Sequence, residues 1–141
     1  MTRAQVPRLA LVVFVNRADC RWLRGLRAGF RHCFVALRDG QTWVTCDALK
    51  DRLELSALPI SSEFDLAGFY AKHGHTVLLG TTQPNLPRRP FVIAPLTCVT
   101  IAKRILGVRA TWVVTPWQLC RRLKSEAHGF VTVAPLEQIR P

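Results

Sequence analysis

The chain predicts a single α+β domain, residues 1–141, with a mainly antiparallel sheet and helices. Three observations predict it. Apolar, β-branched runs and a hairpin signal dominate the first half, while helical segments come between and after them. A length of 141 residues suits one domain and one sizeable core. With 49% apolar and 21% charged residues the balance is that of a globular chain, which argues against disorder.

Each element has its own reason. Leu9-Ala-Leu-Val-Val-Phe-Val15 is a continuous apolar run and reads as a buried strand. Asp19 to Leu26 reads as a short helix capped by Asp19 and ended by Gly29. Phe30 to Leu37 and Thr42 to Cys46 read as paired strands, with Asp39-Gly40 as the turn between them. Arg52 to Leu58 alternates apolar and polar side chains and reads as a further strand. Ser62 is an N-cap for a helix over Glu63 to Lys72, and His75 to Leu79 is a short strand. Thr81 to Pro95 holds Pro84, Pro87, Pro90 and Pro95 and reads as a loop. Thr97 caps a helix from Cys98 to Leu106, stopped by Gly107. Ala110 to Val114 reads as a strand. Thr115 caps and Pro116 opens a helix to about Lys124, and Phe130 to Val133 is a last strand.

Twenty Lys and Arg against nine Asp and Glu give a net charge of +11. Such a surplus speaks of partners and not of fold. Nucleic acid, an anionic envelope polymer and an acidic protein all fit it. Arg21, Arg24 and Arg27 recur at helical spacing and could form one basic stripe; the plainer reading is a solvated face. The longest apolar run, Leu9 to Val15, is far short of a membrane span. The first residues lack a small-residue cleavage site, so no signal peptide is expected and synthesis is expected to be cytoplasmic, with association to a virion or other particle left open. Five cysteines at 20, 33, 46, 98 and 120 lack the paired spacing of a structural zinc site, so free thiols are expected.

The most informative cysteine is Cys98. As the first residue of a helix it meets unpaired amides and the positive end of the helix dipole, which stabilise a thiolate. Those amides could also hold an oxyanion. Taken alone, Cys98 reads more simply as a buried core thiol. It does not stand alone. With Asp39-Gly40 as a two-residue loop, His32 falls opposite Asp47 at the base of the hairpin, close enough for an imidazole–carboxylate hydrogen bond. Cys98, His32 and Asp47 together make a candidate Cys–His–Asp triad. Trp43 shares the His32 face by alternation and is a candidate wall of a substrate cleft, with a core position as the competing reading. Gln83, in the Pro-rich loop, is a candidate second oxyanion donor.

Phe30-Arg31-His32-Cys33-Phe34-Val35-Ala36-Leu37 followed later by Thr97-Cys98-Val99-Thr100-Ile101-Ala102-Lys103-Arg104-Ile105-Leu106-Gly107 resembles the circularly permuted branch of the NlpC-type papain-like superfamily, in which the His precedes the Cys. That branch includes the lecithin retinol acyltransferase-like proteins and bacterial and phage members. The resemblance implies a permuted papain-like fold, with Cys98 as nucleophile, His32 as general base and Asp47 as the orienting residue. It implies hydrolysis or acyl transfer on an amide or ester, with a peptide or acyl substrate such as peptidoglycan, and no cofactor. One departure stands beside His32: Cys33 occupies a place where many relatives carry a small aliphatic residue. Alternation turns Cys33 to the other face of its strand, into the core.

Other features compete. His73 and His75 flank Gly74, but no full metal-ligand set can be named, so they read as helix-end residues, as does His128. Trp112 and Trp117 read as packing the last helix onto the sheet. The second function class is a non-catalytic basic module of a phage or gene-transfer particle, contacting nucleic acid or a protein partner.

Overall fold

The computed structural model describes residues 7–16, 29–48, 53–83, 98–109, 112–125 and 128–133. Among them are six strands and three helices: β1 (Leu9–Val15), β2 (His32–Asp39), β3 (Thr42–Ala48), β4 (Leu53–Ala57), α1 (Leu66–Lys72), β5 (Thr76–Thr81), α2 (Cys98–Leu106), α3 (Pro116–Leu123) and β6 (Val131–Thr132). The strands form one sheet in the order β4-β3-β2-β1-β5-β6. Every neighbouring pair is antiparallel. The architecture is therefore α+β on a single antiparallel sheet. The expected helix over Asp19 to Leu26, the Arg21-Arg24-Arg27 stripe, the cap at Thr97 and most of the Pro-rich loop lie outside the described residues.

β1 is the middle of the packing, and its unbroken apolar run follows from burial on both faces. Ala10, Val12 and Phe14 point to the side covered by α2 and α3, where they meet Cys33, Val35, Val99, Ala102, Leu106 and Leu119. Leu11 and Val13 point to the side of α1, with Ala36, Trp43, Leu66, Ala67 and Ala71. Phe30 ties α3 to the sheet, stacking at 5.3 Å on Phe14 and edge-on at 4.8 Å on Trp117. Trp112, in contrast, is 57% exposed, with the Arg122 guanidinium 5.9 Å from its ring centre. It does not pack the helix onto the sheet.

The hairpin register differs from the sequence expectation. Asp39 pairs with Thr42, so the loop is Gly40-Gln41 and Val35 pairs with Cys46. Gly40 takes φ +61° at the first central position, where both primed hairpin turns require a positive angle. The expected Asp39-Gly40 loop would have asked that of Asp39, at a steric cost. Counted onward, Asp47 falls opposite Phe34 and not opposite His32. The slide preserves which face each side chain occupies, because the loop moved by one residue on both strands at once.

Three other elements shift. α1 begins at Leu66, with Asp65 and not Ser62 as its cap; the Asp65 side chain accepts from the Gly68 amide at 3.0 Å. The later start buries Leu66, Ala67 and Ala71 against the sheet, while 61–66 turns through short local bonds. Trp112 to Val114 is not a strand. Its backbone is satisfied by side chains instead: Lys103 Nζ donates to the Val113 carbonyl at 2.8 Å and the Val114 amide to Gln118 Oε1 at 2.9 Å. β4 is an edge strand whose Leu53 and Leu55 are both exposed, so its alternation does not mark a buried face. No helix among the described residues is long and apolar enough to cross a membrane.

Candidate active site

The site gathers at the end of the sheet where β2 begins and β3 finishes. His32 is the first residue of β2 and is buried. Its Nε2 lies 2.6 Å from Asp47 Oδ1, a diagonal contact of the kind long side chains make between antiparallel strands. Cys98 is the first residue of α2. That helix docks on the sheet through Val99, Ala102 and Leu106, and the docking presses Cys98 against the same core that holds Cys33. His32, the Cys33 thiol and the Cys33 backbone act on the Cys98 sulfur as hydrogen-bonding neighbours in its electrostatics. With Nε2 engaged by Asp47, Nδ1 is the ring nitrogen left for the Cys98 sulfur.

These contacts set the charges. The Cys33 thiol, donating to the Cys98 sulfur, is the largest influence on Cys98; burial works against ionisation, and the His32 hydrogen bond, the His32 charge and the Cys33 amide add to the first effect. The net result pulls the Cys98 thiol down from 9.0 to about 5. Burial alone would lower the His32 pKa. Hydrogen bonds to Asp47 and Cys98, with their charges, outweigh it and raise His32 from 6.5 to about 9. Around neutral pH the pair is a thiolate beside an imidazolium. The other described cysteines go the opposite way. Cys33 is pushed well up by its bond to Cys98 and by burial, and burial raises Cys46 and Cys120.

Cys98, His32 and Asp47 thus come together, although the register that suggested the His32–Asp47 contact was displaced. Trp43 does not join them. It is 3% exposed, packed in the core beneath α1, and its Nε1 has no hydrogen-bond partner among the described residues. Gln83 does not either. Its amide bonds to the carbonyl of Leu106 at 3.2 Å, at the opposite end of α2 from Cys98, about 12 Å along the helix axis. Its side chain meets His128 Nδ1 at 3.2 Å. His73 caps α1, its Nδ1 donating to the Phe69 carbonyl at 2.7 Å. Among the described residues no group of three or more His, Cys, Asp or Glu could hold a metal.

Cys33 is the residue that sequence reasoning undervalued. Alternation sends it into the core, and there it lies, 1% exposed. The same face receives α2. An amphipathic helix that begins with Cys98 and buries Val99 and Ala102 sets Cys98 at the rim of that face, and this was the available signal.

Four of the described basic residues have a structural place. Lys103 and Arg104 stand in the last turn of α2, and Arg121 and Arg122 in the last turn of α3, where the helix dipole favours cations. A shallow cleft of about 250 Å³ on α3 is lined by Trp117, Cys120, Arg121, Lys124 and Ser125, and includes none of Cys98, His32 and Asp47.

A scan against protein-family models, a search of curated proteins and a search of solved structures each find no match to this chain. An ionised thiol at a helix start, beside a buried imidazole held by a carboxylate, can attack an electrophilic carbon while the imidazolium returns a proton to the leaving group.

Proposed function

We propose that the chain is a thiol-dependent hydrolase or acyltransferase acting on an amide or ester bond. The observation that carries this reading is the 2.6 Å contact of the buried His32 with Asp47, on an imidazole that interacts with Cys98. The Cys98 thiolate attacks the carbonyl carbon. The Cys98 amide, one of the first amides of α2 without an intrahelical partner, donates to the developing oxyanion. His32 protonates the leaving amine or alkoxide, and an acyl group remains on Cys98. Water, activated by the now neutral His32, releases it as an acid; another nucleophile in its place gives acyl transfer. Asp47 holds His32 in position and favours its charged form.

The order of parts supports a permuted papain-like, NlpC-type fold: His32 opens β2, Asp47 lies on β3, and Cys98 follows later in the chain at the start of α2. On that resemblance the substrate is a cell-wall peptide or a lipid ester, and the surplus of positive charge suits an anionic envelope polymer.

The test is acylation. The full chain and Cys98→Ala are incubated with activated acyl esters and with cell-wall peptides, and intact mass is followed. A covalent acyl adduct on the native chain, absent from the variant, is the expected result. An adduct with neither class overturns the reading.

A second reading draws on the α3 cleft with Trp117, Arg121 and Lys124, which suits an anionic polymer in a non-catalytic binding module of a phage or gene-transfer particle. Salt-sensitive nucleic-acid binding that persists in Cys98→Ser, without acylation of the native chain, is its signature.

A further inference from the structure

Cys33 forms no bond in the proposed acyl chemistry, yet its thiol is the strongest neighbour acting on the Cys98 sulfur. The two sit in one packed environment. Cys33 belongs to the core between the sheet and α2, and Cys98 packs against that core from the first turn of the helix. Both are free thiols, Cys33 buried and Cys98 half-buried. Cys98 is therefore the sulfur that a small oxidant reaches, and Cys33 is the thiol beside it in the same core. His32 stands on the same sulfur as a proton donor. This is the arrangement of a reactive cysteine with a resolving partner.

We propose that Cys33 and Cys98 form a reversible oxidation site, in which a hydroperoxide oxidises Cys98 and Cys33 resolves it as an intramolecular disulfide. The Cys98 thiolate attacks the hydroperoxide O–O bond. An S–O bond forms, the O–O bond breaks, and the departing alkoxide or hydroxide takes the His32 proton. Cys98 is left as a sulfenic acid. The Cys33 sulfur then attacks the Cys98 sulfur, and the hydroxyl leaves with the Cys33 proton as water. Two thiols lose two electrons, and the hydroperoxide gains them. The product has no nucleophilic Cys98, so the site of the proposed function is closed until a dithiol reduces it. The proposal shares Cys98 and His32 with that function but does not require acyl turnover.

The experiment uses the full reduced chain exposed to hydrogen peroxide at neutral pH, alkylated and digested without reductant. One dominant linked pair of peptides, carrying Cys33 and Cys98, is expected. Dithiothreitol should remove the link and restore alkylation of Cys98. In Cys33→Ser the same treatment should leave a sulfenic acid on Cys98 that dimedone traps; where that variant fails to fold, the map of the native chain decides by itself. The proposal is overturned when Cys98 of the native chain pairs with Cys20, Cys46 or Cys120, proceeds to sulfinic acid, or stays unoxidised. A disulfide without acylation in the earlier test would count against the hydrolase alone. Acylation without the disulfide would count against this proposal alone.

Discussion

His32 Nε2 meets Asp47 Oδ1 at 2.6 Å across a diagonal of the hairpin, since the register counted on from the Val35–Cys46 pair sets Phe34 and not His32 opposite Asp47. The imidazole is buried, and the carboxylate reaches it from the partly exposed end of β3. A buried imidazolium without that acceptor would be costly.

Asp47→Asn keeps the shape of the side chain and removes its charge. A hydrogen bond to a charged group is worth about 1.5–3 kcal/mol, or roughly one to two pKa units. The variant should lower the His32 pKa from about 9 by that order and slow Cys98 alkylation at pH 7. Titration of the His32 ring by NMR in the native chain and the variant measures it. An unchanged titration would show that Asp47 does not hold the imidazolium.

Folding should depend on pH in a defined window. The raised His32 pKa stabilises the fold fully below 6.5 and loses that contribution as pH rises through about 9. The lowered Cys98 pKa stabilises it above 9.0 and loses that contribution as pH falls through about 5. Between 6.5 and 9 the two slopes oppose each other, since folding moves one proton from sulfur to imidazole without net uptake. The pair therefore adds a rise in stability from pH 5 to 6.5 and a plateau above it. Denaturant midpoints of the native chain minus those of Cys98→Ala/His32→Ala, taken across pH, isolate this term. A difference that falls steadily from 6.5 to 9 would contradict it.

The fold makes its own predictions. A methyl group on Gly80 would lie 2.5 Å from the ring of Phe130, which closes the core beside β5. Gly80→Ala should cost about 1–3 kcal/mol by overpacking, read as a lower denaturant midpoint.

Thr115 accepts from the Gln118 amide at 3.3 Å while Gln118 Oε1 accepts from the Thr115 amide at 3.1 Å. Thr115→Ala breaks this capping box at the start of α3 and should cost about 1 kcal/mol. Thermal denaturation of the variant against the native chain checks it.

The sequence is legible where local chemistry and burial agree. The apolar run of β1 has no other use than a strand buried on both faces, and Thr115-Pro116 opens α3 as a cap and a first-turn proline should. Cys98 opening α2 was readable for the same reason. The His32–Asp47 contact was reached through a register that proved displaced by one residue at the turn. It survived because that slide keeps His32 and Asp47 on one face, and because a His reaches a diagonal neighbour. Trp43 and Cys33 were harder. Alternation tells which face a residue occupies but not which helix will cover that face. The α1 side turned Trp43 into core, and the α2 side brought Cys33 to the thiol. Residues 112–114 escaped a strand because distant side chains, Lys103 among them, satisfied their backbone, which no local pattern encodes.

The most direct measurement is the alkylation rate of each thiol against pH, followed by peptide mapping in the native chain and in His32→Ala. Cys98 should react fastest at pH 7, with its rate falling only as pH drops through about 5, while Cys33, Cys46 and Cys120 lag. His32→Ala should move the Cys98 profile upward in pH and erase most of its advantage. A Cys98 that titrates near 9.0 in the native chain, or that does not respond to loss of His32, would contradict the thiolate–imidazolium pair.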